Sequence, residues 1–245
     1  MNPRDDGQEP GSLLQVHSTD SADQLAQQLA QHIARRLRKA ITTRGHAVLA
    51  VSGGKSPVAM FEQLRQQALE WEHLTVLLVD ERCVPHTHTD SNTALVHSHL
   101  LQGAAAQASF VPFFDQLPDV LDDAALEALA DNANARLAAQ PWPIDVAVLG
   151  MGEDGHTASL FPGATELGKA LHSSGPVTWL RPPAAPHARL TLTLPALLTT
   201  HELMLSITGT TKLAVYQQAR LGADENVPIS LVLNQHFTPV SVWLA

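Results

Sequence analysis

Residues 144–149 form an apolar run that stops at a glycine-rich turn, Gly150-Met151-Gly152-Glu153-Asp154-Gly155-His156, followed by Thr157-Ala158-Ser159-Leu160-Phe161-Pro162-Gly163. A run this short, bounded by Pro143 and Gly150, suits a buried strand better than a helix. A strand that ends on glycines beside an acid and a histidine is how an open parallel sheet presents chemistry at its carboxyl edge. The glycines let the backbone turn sharply and place Asp154 and His156 at the rim. Alone, the turn is also compatible with a structural loop carrying a solvated histidine.

The same design recurs. Residues 47–51 run into Ser52-Gly53-Gly54-Lys55-Ser56-Pro57, with Ser56 expected to cap a helix and Pro57 to open it. Residues 75–79 end at Asp80-Glu81-Arg82, and residues 202–207 end at Thr208-Gly209-Thr210-Thr211-Lys212, which opens a helix reaching about residue 221. Before the first of these strands, Ser21 and Gln24 resemble a capping box, and Leu25, Leu29, Ile33, Leu37 and Ile41 follow at helical spacing. Arg35, Arg36, Arg38 and Lys39 on that helix read as a solvated face. Further helices are expected from Asn92 and over 119–139, and strands at 109–113, at 190–194, and at 240–244, which should close the sheet. The prolines between Arg181 and Pro186 make a loop. Strands alternating with helices predict an α/β fold: three layers, an open, mostly parallel, Rossmann-like sheet with helices on both faces. Residues 1–12 read as a loose polar tail, and 13–245 as a single domain.

Composition removes several classes of function. With 245 residues, 44% of them hydrophobic, the chain can bury a sizeable core. A formal charge of -9 argues against a nucleic-acid surface, which needs clustered Lys and Arg. Because Lys and Arg total only 15, a basic residue inside a glycine-rich loop points to an anionic ligand. No run of about 18 apolar residues is present, and the first residues lack the basic-then-apolar order of a signal peptide. The expectation is a soluble, cytoplasmic protein with no membrane or nucleic-acid partner. Cys83 is the one cysteine, which excludes an internal disulfide and cysteine-based zinc sites.

In a parallel sheet the four polar strand ends lie on one side and can line one crevice. Two of them precede helices, whose free N–H groups suit a phosphate. Together they suggest a phosphorylated small molecule held by amides and cations, with Asp and His acting on its other end. Two familiar nucleotide motifs fail. Gly150-Met151-Gly152-Glu153-Asp154-Gly155 imitates a dinucleotide fingerprint, but Pro162 and Gly163 cut the helix short and no acid lies in the interval 167–180. Gly54-Lys55-Ser56 imitates a P-loop, but its earlier glycine would fall on Leu49.

These segments, together with Val79-Asp80-Glu81-Arg82-Cys83-Val84-Pro85, Asp90-Ser91-Asn92 and Arg189-Leu190-Thr191-Leu192-Thr193, resemble the soluble glucosamine-6-phosphate isomerase/6-phosphogluconolactonase family over nearly the whole chain. The resemblance implies hydrolysis of 6-phospho-D-glucono-1,5-lactone to 6-phosphogluconate in the oxidative pentose phosphate pathway, with no cofactor and no required metal. It implies His156 as the proton-transfer group and Asp154 as its orienting partner; an imidazole, ionising near pH ~6.5, suits both halves of that task. It also implies Arg82, Arg189 and Lys212, with Ser52, Gly53 and Gly54, as the phosphate and substrate contacts, and Asp80 as a sugar-hydroxyl or loop-ordering group. The roles of Lys55, Asp80 and Glu81, and the choice between glycine amides and Arg82 for the oxyanion, stay open. His86 and His88 form a His-x-His pair that reads as a solvated loop, since no nearby acid completes a ligand set. A deaminase or isomerase of glucosamine 6-phosphate is the rival reading, and it wants an Asn-Glu-Pro segment where Ser159-Leu160-Phe161-Pro162 stands. A non-catalytic sugar-phosphate sensor is the second rival. The expected partner is a small phosphorylated lactone, and the expected state a monomer, with a weak dimer as the alternative.

Overall fold

The computed structural model describes residues 13–245, so the tail expected over 1–12 lies outside the described residues. The long first helix, α1 (Ala22–Arg44), forms as its pattern requires. Ser21 Oγ accepts the Gln24 N–H at 3.2 Å, Gly45 ends the helix in the left-handed region, and the four-spaced Leu and Ile side chains are buried. Its basic residues are not simply solvated, because Arg36 Nε lies 2.5 Å from the buried Glu202 and Arg38 donates to the Ala68 carbonyl.

Seven strands make the main sheet: β1 (Leu14–Ser18), β2 (Ala47–Val51), β3 (Leu74–Leu78), β5 (Ser109–Phe110), β6 (Val146–Leu149), β9 (Leu203–Ile207) and β10 (Val240–Leu244), in the order β1-β10-β9-β6-β2-β3-β5. All its pairings are parallel. Strands β2 and β6 are buried at every residue, as expected of parallel strands covered on both faces. The strand at 240–244 does not close the sheet: β1 lies outside it, with Leu14 opposite Val240. From β2 the chain steps to β3 and β5 on one side, then returns to β6 and proceeds to β9 and β10 on the other. The order therefore reverses between β2 and β6, and a ligand crevice is expected outside the carboxyl ends of those two strands.

A second, three-stranded antiparallel sheet was not expected. It contains β4 (Asp80–Arg82), β8 (Arg189–Leu192) and β7 (Val177–Leu180), in the order β4-β8-β7. The chain changes sheets at Val79, whose N–H donates to the Val51 carbonyl while its own carbonyl accepts the Leu192 N–H. Asp80-Glu81-Arg82 is thus a strand with fixed side-chain directions, not a free strand-end loop.

The other helices are α2 (Val58–Leu64), α3 (Asn92–His99), α4 (Asp123–Ala138), α5 (Leu167–His172), α6 (Leu194–Leu197), α7 (Thr210–Ala219) and α8 (Pro228–Leu233). Pro57 occupies the N-cap of α2 with no side-chain cap, so Ser56 does not cap it. Among the described residues no helix is long and apolar enough to cross a membrane.

Candidate functional site

The turn after β6 is tied to itself. The Gly152 N–H donates to the His156 carbonyl at 2.9 Å, the Gly155 N–H to the Gly152 carbonyl at 3.1 Å, and Thr157 Oγ1 to the Gly150 carbonyl at 2.8 Å. This closure folds Asp154 back onto His156 although only one residue separates them. Asp154 Oδ1 lies 2.6 Å from His156 Nδ1 and accepts the His156 N–H at 3.1 Å. A carboxylate only accepts, so the neutral ring carries its proton on Nδ1 and leaves Nε2 with a free lone pair. The other side of the ring is supported by Phe161, stacked at 4.2 Å. Gly152 is required by close approach: a Cβ there would sit 2.1 Å from His156 Nδ1 and 2.4 Å from Asp154 Oδ1.

The neighbouring strand ends are wired together by Glu81 and Asn92. Glu81 is almost fully buried and accepts the N–H groups of Arg82, Asn92 and Thr93 at 2.7, 2.8 and 2.7 Å, and the Ser91 hydroxyl at 3.2 Å. A carboxylate at the amino end of α3 satisfies its free donors and its dipole. This answers the open question about Glu81: it holds α3 against β4. Asn92 Nδ2 donates to the Asp80 carbonyl at 2.8 Å, and its Oδ1 accepts Arg82 Nη1 at 2.9 Å. The same amide fills the space beside Gly53, where a Cβ would fall 1.7 Å from Asn92 Oδ1. Ser52, buried at the end of β2, donates its N–H to the Val148 carbonyl and so ties that loop to β6.

Asp80 is also buried, and its Oδ2 accepts the Ser159 hydroxyl at 2.6 Å; the Ser159 N–H donates to Thr191 Oγ1 at 3.2 Å. Asp80 thereby links the small sheet to the turn that carries His156. Directly across the β4–β8 pairing, Arg82 stands opposite Arg189. Arg189 is only 5% exposed, and its Nη1 donates to the carbonyls of Pro186 and His187 at 2.7 and 2.9 Å. Burial first, and the Arg82 charge second, pull its pKa below the usual guanidinium range. Among the described residues neither guanidinium forms an ion pair with a carboxylate side chain. Two like charges opposite each other are destabilising, and an anion between them would relieve the repulsion.

Ser52, Gly53, Asp80, Arg82, Asp154, His156 and Arg189 thus fall on adjoining strand ends. Gly54 lies in the same turn as Gly53, and Lys55, exposed, extends beyond it. Lys212, half-buried in the first turn of α7, stands at the end of the next parallel strand but touches none of the others through a hydrogen bond or ion pair. Cys83, beside Arg82, is no nucleophile here, because burial and the nearby Glu81 charge push its thiol up to about 12. Asn92, Ser159, Phe161 and Thr191 are the participants that the residue-by-residue reading left without a role. Asn92 carried a readable signal, since it directly follows Ser91, which caps α3. His86 and His88 separate: the His86 ring lies against Phe114, while His88 faces Asp90 and His187.

An open parallel sheet with polar loops at its switch point defines an α/β protein of the class that holds ligands at its strand ends. Residues 20–243 match the family model of glucosamine-6-phosphate isomerases/6-phosphogluconolactonase, and the chain belongs to that family. It is 43% identical over 221 residues to a 6-phosphogluconolactonase of Pseudomonas aeruginosa, covering 89% of this chain and 90% of that one. It is 40% identical over 238 residues to a 6-phosphogluconolactonase of Neisseria meningitidis, covering 94% and 98%. The crystal structure of a 6-phosphogluconolactonase from Shewanella baltica superposes with a TM-score of 0.88 at 40% identity, over 95% of this chain and 98% of that one.

Proposed function

We propose that this protein hydrolyses 6-phospho-D-glucono-1,5-lactone to 6-phosphogluconate, a step of the pentose phosphate pathway, as one catalytic domain over residues 13–245. The observation that carries this reading is an arginine pair, half-buried Arg82 and buried Arg189, that forms no ion pair with a carboxylate side chain among the described residues and stands on strand ends adjoining the His156–Asp154 pair. Arginine can grip two phosphate oxygens at once. Such a site holds the phosphate at one end and works on the carbonyl at the other, with Ser52, Gly53, Gly54 and Lys212 as further contacts.

In this mechanism His156 Nε2 takes a proton from a water as its oxygen bonds to the lactone carbonyl carbon. Charge on the carbonyl oxygen is met by amides of the glycine turns or by Arg82. The bond to the ring oxygen then breaks, and that oxygen receives the proton back from His156. Asp154 steadies the transient imidazolium throughout. The new carboxylic acid ionises, so each turnover releases one proton.

The test follows proton release after addition of freshly made lactone, corrected for spontaneous hydrolysis, beside ammonia release from glucosamine 6-phosphate. Accelerated proton release without ammonia is expected. Ammonia with no acceleration of lactone opening would replace this reading with that of a deaminase.

A further inference from the structure

The side chains of His88, Asp90 and His187 converge on the surface beside the arginine pair. One ligand atom from each lies within 4.8 Å of the others. His187 Nε2 is 3.2 Å and His88 Nδ1 3.8 Å from Asp90 Oδ2. Two imidazoles and a carboxylate are a donor set for Zn²⁺ and its neighbours, and ligands around a tetrahedral ion with bonds of about 2.0–2.2 Å stand roughly 3.5 Å apart. The Asp90 N–H donates to His88 Nδ1 at 3.0 Å, so that nitrogen carries no proton, and a metal there would take over the lone pair that this hydrogen bond now uses. His187 adopts φ 69, a left-handed conformation uncommon outside glycine. His88, Asp90 and His187 side chains are 41%, 49% and 30% exposed, which leaves an entry path and an open position for water.

We propose that His88, Asp90 and His187 form a divalent transition-metal site, apart from the His156–Asp154 pair, that fastens the turn before α3 to the loop before β8. The carbonyls of two of these residues already hold the arginines: Asp90 accepts Arg82 Nη1 at 2.6 Å, and His187 accepts Arg189 Nη1 at 2.9 Å. An ion bound here fixes both carbonyls and with them the directions of both guanidinium groups. The hydrolysis does not need it. Its effect is structural, on two loops that otherwise meet here through the His187–Asp90 contact and the edge-on packing of the His88 and His187 rings.

The experiment titrates Zn²⁺ into the full chain by calorimetry and Co²⁺ by visible absorption, and compares amide exchange with and without Zn²⁺. One saturable site of micromolar affinity is expected, with a Co²⁺ ligand-field band and slower exchange over residues 86–91 and 181–188. His88→Gln and His187→Gln should each weaken binding by at least about tenfold. His172→Gln, which removes a surface histidine beside Glu225, should leave it unchanged. His88 is exposed, so its variant keeps the test valid even if His187→Gln fails to fold. No saturable binding, binding undiminished in His88→Gln, or an equal loss in His172→Gln would overturn the proposal.

Discussion

One carboxylate oxygen, Asp154 Oδ1, meets both the ring and the backbone N–H of His156. That double contact makes the ring's direction a property of the turn. Replacing His156 by alanine should lower kcat by about 10²–10⁴-fold, the usual contribution of a positioned acid–base group, while calorimetry still detects 6-phosphogluconate binding. Turnover within a few-fold of the parent would remove His156 from the mechanism. Gly152→Ala separates orientation from chemistry, since it leaves both functional groups in place but drives a methyl between them. It should lower kcat far more than it weakens product affinity; a parent-like kcat would show that the Asp154 contact is dispensable. The pair was legible in the sequence because spacing and glycines sit in one short segment. Ser159 and Thr191 were not, since their contacts join residues 32 and 79 positions apart, and a hydroxyl in an apolar segment announces no partner.

At the scale of elements, two buried carboxylates do the joining. Glu81 seats α3 on β4, and a glutamine there would turn one accepting oxygen into a donor facing other donors. Glu81→Gln should cost about 1–3 kcal/mol in urea unfolding and weaken 6-phosphogluconate binding, because Arg82 and Asn92 move with it. An unchanged midpoint would contradict the capping role. Glu202 joins α1 to β10 through His32 at 3.0 Å, Arg36 at 2.5 Å and Ser241 at 2.6 Å. Burial pushes its pKa up, but the hydrogen bonds from His32 and Ser241 and the His32 and Arg36 charges outweigh that and hold it below the ordinary glutamate value. A lowered folded-state pKa means that stability from Glu202 is fully present above the unfolded value of about 4.3 and drains as pH falls below it. Thermal melts should therefore fall more steeply below that pH in the parent than in Glu202→Gln. Parallel curves would assign acid sensitivity elsewhere. The α1 periodicity was readable, whereas Arg36 was taken for a solvated residue because its partner lies 166 positions away, a distance no local pattern spans.

For the whole molecule, the parallel sheet followed from apolar runs punctuated by polar turns, and the mouth from the rule that such turns share one edge. The antiparallel sheet did not follow. β4 is three residues long, and its partner β8 lies far along the chain, with Arg82 opposite Arg189, so neither periodicity nor turn chemistry marks the pairing. This second sheet changes what the mouth is. The arginine pair belongs to it, the histidine turn belongs to the main sheet, and Asp80 with Ser159 connects the two. A ligand spanning both must therefore tighten segments that are remote in sequence. With 6-phosphogluconate bound, amide exchange should slow together over residues 52–56, 80–92, 150–160 and 187–191, and over 208–213 if Lys212 reaches the phosphate. The melting temperature should rise with ligand concentration, as for any ligand that binds only the folded state. Protection confined to 150–160 would mean that the arginines do not hold the phosphate. Protection everywhere except 208–213 would remove Lys212 alone and leave the two-sheet mouth standing.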